Sequence, residues 1–175
     1  YGNGFNDVWL IKTDSDGNEE WNQTFGGSSH DGGFSVQQTS DEGYILTGYT
    51  NSYGNGNDDV WLIKTDSQGQ EEWSQTFGGY GYDQGHSVQQ TSDGGYILTG
   101  YTNSYGNGTD AWLIKTDSQG QEQWNQTFGG VDSDYGRSVQ ETIDGGYIIV
   151  GALELNGAKN VWLIKTDSQG QEEWS

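Results

Sequence analysis

Four stretches of this chain carry an unbroken apolar run, Val-Trp-Leu-Ile or Ala-Trp-Leu-Ile, starting at Val8, Val60, Ala111 and Val161, and each runs on into Lys-Thr-Asp. A continuous run of this length suits a strand covered on both faces. About ten residues later the pattern changes to alternation. In Glu71–Phe77 the side chains of Trp73, Gln75 and Phe77 fall on one face. Two further runs, FSVQQTS from Phe34 and YILTGYT from Tyr44, are equally rich in β-branched and aromatic residues. Between the runs lie turn residues. DEGY or DGGY at Asp41, Asp93 and Asp144 offers glycine where a tight hairpin needs positive φ, and TDSQG at Thr65 is a second short turn ending in glycine. The pattern therefore predicts two hairpins, four strands, in each repeat.

Trp9, Trp61, Trp112 and Trp162 hold the same place in successive copies, at separations of 52, 51 and 50 residues. A period near fifty belongs to propellers and arrays, and four short antiparallel strands per period is the pattern of a propeller blade. A parallel β-helix would need shorter coils and no hairpin turns. The expected fold is thus all-β, a β-propeller of four-stranded antiparallel blades with about three and a half blades present. Residues 1–27 form half a blade (an outer hairpin), and residues 28–79, 80–130 and 131–175 form one blade each. Propellers use about four to eight blades, so the stretch reads as part of one propeller domain of a longer chain. Two copies would supply eight outer but six inner hairpins, so a dimer does not close a seven-bladed ring. The hairpin from Asp7 to Phe25 is expected to be completed by an inner hairpin from the longer chain or another subunit.

The combination FGG…D.G.SVQ.T.DGGYILTGYTNS…G..D.WLIKTDS.G...W resembles the seven-bladed β-propeller repeats of secreted and cell-surface proteins of archaea and bacteria. The resemblance spans essentially the whole chain. It implies that a blade runs from an inner strand SVQQT through YILTG and VWLIK to an outer strand EEWSQT, and that the protein is extracellular or at the cell surface. It implies no particular activity.

Composition narrows the partners. The chain has 175 residues, with 26 Asp and Glu against 6 Lys and Arg, a formal charge of −20. Nucleic acid and anionic membrane surfaces need clustered cations, so both are disfavoured. No apolar run approaches the ~20 residues of a membrane span, and direct membrane insertion is not expected. Without Cys there is no disulfide scaffold, thiolate metal site or cysteine nucleophile. Thirty Gly and no Pro, among 8 Trp, 11 Tyr and 5 Phe, describe a folded, turn-rich protein.

Candidate chemistry is sparse. Asp31, Asp83 and Asp134 each precede the Ser of SVQ by four residues, and repetition in every copy favours a structural carboxylate that accepts backbone N–H groups. Asp14 opens DSDGNEE, which resembles a calcium loop. Gln68, Gln119 and Gln169 stand where Asp16 does, so the carboxylate pattern fails in the other copies and no metal site is expected. Asn55, Asn57, Asp58 and Asp59 form an oxygen-rich loop that fits turn chemistry or a ligand. His30 and His86 occupy different repeat columns and neither belongs to a ligand pair. No cofactor motif or nucleophile elbow is found. All eight Trp fall at two fixed strand columns, and they are expected to be core.

The copies disagree mainly between blades, where the loops read SSHDGGF, YGYDQGH and VDSDYGR. Phe34, His86 and Arg137 are equivalent positions with three chemistries, and Tyr80, Tyr82 and Tyr135 add stacking surface nearby. Loops on rigid scaffolds carry recognition, so these six are the candidate ligand-binding residues. Asn22, Asn107 and Asn125 head N-glycosylation sequons. The expected function is a non-enzymatic extracellular scaffold or recognition module whose partner is a protein or glycan at the cell surface. A carbohydrate-binding propeller using the inter-blade loops is the alternative, and a polysaccharide-active enzyme comes third. No cofactor is implied.

Overall fold

The computed structural model describes residues 4–155 and 157–175. Fourteen strands and no helix occur among them. The strands are β1 (Val8–Thr13), β2 (Glu19–Phe25), β3 (Asp31–Gln38), β4 (Tyr44–Thr50), β5 (Asp59–Thr65), β6 (Glu71–Phe77), β7 (Asp83–Gln90), β8 (Tyr96–Thr102), β9 (Asp110–Thr116), β10 (Glu122–Phe128), β11 (Tyr135–Glu141), β12 (Tyr147–Leu155), β13 (Ala158–Thr166) and β14 (Glu172–Trp174). They form one two-stranded sheet, β1–β2, and three four-stranded meanders, β3–β6, β7–β10 and β11–β14. Every pairing between these strands is antiparallel. These are repeated, blade-like units in chain order, and they do not close into a barrel.

Hairpin geometry follows from the turn residues. In the first turn of each unit the left-handed position is taken by Glu42, Gly94 and Gly145, with φ of 70°, 84° and 81°. Glu42 is the one non-glycine there, and the space a side chain would enter at Gly94 is open. The turn tolerates the substitution because Thr39 and Gly43 still close it, with Thr39 N–H donating to the Gly43 carbonyl at 2.9 Å.

The sheets stack face to face through fixed columns. Val8, Leu10 and Phe25 of the first sheet meet Leu46, Trp61 and Ile63 of the second. Val60, Leu62 and Phe77 of the second then meet Leu98, Trp112 and Ile114 of the third. Alternate residues of one strand thus serve two different cores, which is why the run is continuously apolar. The outer Trp column fills the gap between neighbouring sheets. Trp21 lies against Gly69 and Tyr44, Trp73 against Gly120 and Tyr96, and Trp124 against Gly170 and Tyr147.

Full burial of the apolar run holds only inside the stack. All seven residues of β5 and of β9 are buried, whereas Trp9 is 61% exposed on β1 and Val161 is 83% exposed on β13. The expectation that all eight Trp are core is therefore corrected: Trp61 and Trp112 are buried, but Trp9 and Trp174 are exposed. The reason is that the first and last sheets each have one face without a neighbour among the described residues.

The first strands β3, β7 and β11 lie side by side. Side chains from one donate to or accept from the backbone of the next: Gln90 N–H donates to the Gln37 side chain at 2.6 Å and Glu141 N–H to that of Gln89 at 2.8 Å. Ser35 and Ser87 accept the N–H groups of Val88 and Val139 in the same way. The repeated SVQ is thus a stitch between units.

Candidate functional site

Each first strand contains a β-bulge, and it falls at the variable position. Register skips between Gly33 and Ser35, between Gly85 and Ser87, and between Gly136 and Ser138, leaving Phe34, His86 and Arg137 unpaired. A bulge frees one residue from the ladder and re-aims its side chain. The glycine before each is in a crowded place, since a side chain at Gly85 or Gly136 would meet the Thr of the preceding unit's second strand. The framework thus fixes the backbone and leaves one side chain per unit free to vary.

These side chains meet. Phe34 packs edge-on to His86 with ring centroids 5.5 Å apart, and Nη1 of Arg137 lies 3.4 Å from each ring nitrogen of His86. Second-strand tyrosines fill in beside them: Tyr49 is 5.7 Å from Phe34 and Tyr101 is 5.5 Å from His86. Tyr101 in turn meets Tyr135 edge-on at 5.3 Å. One strip of rings therefore runs across three units. Tyr80 and Tyr82 stay apart from this strip, exposed in their loop, where their carbonyls accept from Asn57 and from the backbone of Asn103.

The last unit departs from the others in a way the spacing foreshadows. Where Tyr49 and Tyr101 face Gly32 and Gln84 across the first hairpin, Ala152 faces Tyr135. The ring has moved from the second strand to the first. ALELNGAKN replaces the long YTNSYGNGTD loop, so β12 and β13 extend to nine residues each and place Lys159 over the Tyr135 ring, 4.9 Å from its centroid. The Arg137 guanidinium lies at the same distance from that centroid. Lys159, Tyr49 and Tyr101 were not singled out by sequence reasoning. The shortened fourth copy was the available signal for Lys159.

Electrostatics separates structure from site. His86 Nδ1 is 2.8 Å from the Gly136 carbonyl, which only accepts, so the proton sits on Nδ1. Burial holds the imidazole below its usual range, and Arg137 adds in the same direction. The phenol of Tyr101 is pushed up to about 12, chiefly by burial and then by Asp58. Asp58 itself accepts from the Gln84 side chain at 2.7 Å.

The carboxylates repeated from copy to copy at the turns and unit junctions are occupied by the fold. Asp83 is fully buried and accepts from Gly79 N–H at 3.0 Å, Asn103 N–H at 3.1 Å, the Ser104 hydroxyl at 2.5 Å and the Thr102 hydroxyl. Asp31 holds Gly27, Thr50 and Ser52 in the same manner. Asp14 accepts its own turn's N–H groups from Asp16 and Asn18 at 2.9 Å. Asp66, Asp117 and Asp167 do likewise. Of the four residues expected in the oxygen-rich loop, Asp59 instead opens β5, where it is buried and accepts Asn55 N–H at 2.7 Å. Its carboxylate and that of Asp83 flank Gly78 so closely that a Cβ there would lie 2.1 Å from one and 2.7 Å from the other. Only glycine fits the first position after Phe77.

Two opposed pH effects follow. Burial pushes Asp59 up to about 6, with the Asp83 charge reinforcing it. A carboxyl whose folded pKa is raised stabilises the fold below its unfolded value and loses that contribution as pH rises through the folded one. Asp41 and Asp144 are drawn down to about 2, first by the Thr hydroxyl two residues earlier and then by Lys64 and Lys165. Asp93 also reaches about 2, against the effect of burial, through Thr91 and Lys115. Their contribution is complete above the unfolded value near 3.8 and disappears as pH falls toward 2. Thermal melts across pH are expected to show stability rising from about pH 7 to about pH 4 and falling below it. A monotonic profile across that range contradicts the assignment.

Asn22 and Asn125 lie on the outermost strands β2 and β10, and their side-chain oxygens accept the indole N–H groups of Trp9 and Trp112, at 3.3 and 3.0 Å. Asn107 lies in the β8–β9 loop. All three side chains are exposed. No family model matches this chain, and no curated protein matches it.

Proposed function

We propose that this chain is a non-catalytic recognition module of the cell exterior, a segment of a β-propeller whose remaining blades come from a longer chain or another subunit. Support for the propeller comes from the open faces. Trp9 and Ile11 at one end and Val161 and Leu163 at the other repeat the two halves of the interface seen between the second and third sheets, where Val60 and Leu62 meet Trp112 and Ile114. Each end is therefore shaped to receive one more unit of the same kind.

The observation that carries the functional reading is the row of bulges. Residues that differ from copy to copy, Phe34, His86 and Arg137, are the ones released from pairing and gathered into one partly exposed strip. A glycan is the favoured ligand, because aromatic faces beside polar groups suit sugar rings. An enzyme is disfavoured because the carboxyl pushed up to about 6, Asp59, is buried at the start of β5 and accepts Asn55 N–H, and the His86 ring meets a carbonyl and a guanidinium.

A glycan array tests the reading. Saturable retention of at least one glycan is expected, lost in a Phe34→Ala, His86→Ala double variant that still melts cooperatively. A blank array, or binding that survives the double variant and is lost instead in Tyr80→Ala, Tyr82→Ala, overturns the placement. Turnover of a polysaccharide by the purified chain overturns the non-catalytic assignment.

A further inference from the structure

Resting on the recognition reading above, we propose that the end of the strip formed by Tyr135, Arg137 and Lys159 is a subsite for a single acidic sugar, a sugar ring carrying one carboxylate.

The argument begins with the cations. Of the six Lys and Arg, four are ion-paired: Lys12 with Glu20, Lys64 with Asp41 and Glu72, Lys115 with Asp93, and Lys165 with Asp144 and Glu173. The other two, Arg137 and Lys159, have no ion pair among the described residues, although acids outnumber them heavily. Both instead hold to the same aromatic ring, Tyr135, at 4.9 Å from its centroid. Glu154 sits directly opposite Lys159 in the β12–β13 hairpin and still makes no ion pair with it.

Two cations on one ring repel each other, and the ring's quadrupole offsets that only in part. An oxyanion lodged beside the ring would meet both. Arg137 is exposed and, among the described residues, its guanidinium meets only the His86 ring as a hydrogen-bonding group, so most of its donors are open to a carboxylate, the geometry that the planar fork matches best. His86 donates to the Gly136 carbonyl, which fixes the imidazole beside the guanidinium.

The field of the whole chain then limits what the anion is attached to. At a formal charge of −20 the protein repels polyanions over a Debye length. An acidic protein, a nucleic acid or a polyuronate is therefore disfavoured, and one carboxylate on an otherwise neutral body is favoured. Tyr135 and Tyr101 next to the cations, and Phe34 further along, supply faces for that body. An acidic sugar joined to neutral sugars matches both parts. The subsite exists only in the last unit, because only there is the second-strand tyrosine replaced by Ala152 and the hairpin extended to Lys159.

The test is an NMR titration at low salt with three probes, glucuronate, glucose and sodium sulfate, following the His86 ring signals. Glucuronate is expected to shift them saturably, glucose and sulfate much less at the same concentration. Arg137→Gln with Lys159→Gln should weaken glucuronate about tenfold or more, while Lys12→Gln, which removes a paired surface charge, should leave it within about twofold. Both altered side chains are exposed, so an unchanged melting curve verifies the fold of the double variant. Equal binding by the double variant, or no response to glucuronate, overturns the inference. An equal response to sulfate overturns the sugar assignment, since charge alone would then be recognised. If glucuronate fails while glycans on the array are still held through Phe34 and His86, the acidic subsite falls and the recognition reading stands; if the array is blank as well, both fall.

Discussion

Trp112→Ala is expected to cost about 3–5 kcal/mol of stability, the usual range for emptying a buried Trp site, while Trp9→Ala at the same repeat position costs about 1 kcal/mol or less. Trp112 is 2% exposed and Trp9 is 61% exposed. The buried indole packs with Val60, Leu62 and Phe77 of the preceding sheet and donates to Asn125 at 3.0 Å. Its loss leaves a cavity between two units that rigid strands close only partly. Trp9 has no sheet on its exposed side. Urea unfolding followed by far-UV circular dichroism measures both. Equal, large losses at the two positions would mean that another unit covers Trp9 in solution, and would contradict the open end described above.

Asp83→Ala is expected to destabilise by about 3 kcal/mol or more. A buried carboxylate that accepts several hydrogen bonds contributes roughly 1.5–3 kcal/mol per charge-assisted bond, and its removal leaves buried donors without partners. Here Gly79 N–H, Asn103 N–H and the Thr102 and Ser104 hydroxyls all lose their acceptor, and the inter-unit loop loses its anchor to the β8–β9 loop. Asp134→Ala is expected to cost clearly less. In the last unit Leu153 and Leu155 stand in place of the Thr and Ser, and among the described residues Asp134 accepts from Gly130 N–H at 2.9 Å and Glu154 N–H at 2.8 Å, with no hydroxyl partner. Chemical denaturation of the two variants side by side decides the point. A cost at Asp134 equal to that at Asp83 would show that the hydroxyl partners contribute nothing.

Both comparisons rest on the same property of a repeat protein. Identical residues in identical columns differ in energy because stability is shared between units and their neighbours. The repeat itself makes the protein an internal control.

Much of the local structure was legible in the chain. The period of Trp9, Trp61, Trp112 and Trp162 fixes the unit length, and the placement of Gly94 and Gly120 after aspartate marks the hairpins, because left-handed turns have few occupants. The role of Asp31 and Asp83 as acceptors for backbone N–H groups also follows from their repetition. Lys64 was less legible. It sits in an apolar strand, and only the folded unit shows its ammonium reaching Asp41 at 2.9 Å and Glu72 at 2.8 Å.

By itself, then, the sequence determined strand order, turn positions and the alternation of two apolar faces, since these depend on backbone conformation and on periods of two and about fifty residues. Tertiary structure alone decided which copies of each column are buried, because burial depends on a neighbouring sheet that the residue does not encode: Trp61 has one over its indole and Trp9 does not. It also decided the site. Phe34, His86 and Arg137 differ in the sequence for any number of reasons, but the bulges that free them and the stacking that brings them together arise from pairing between strands and from contact between units. The convergence of Arg137 and Lys159 on Tyr135 has the same origin, since residues more than twenty positions apart meet only when β11 lies beside an extended β12–β13 hairpin.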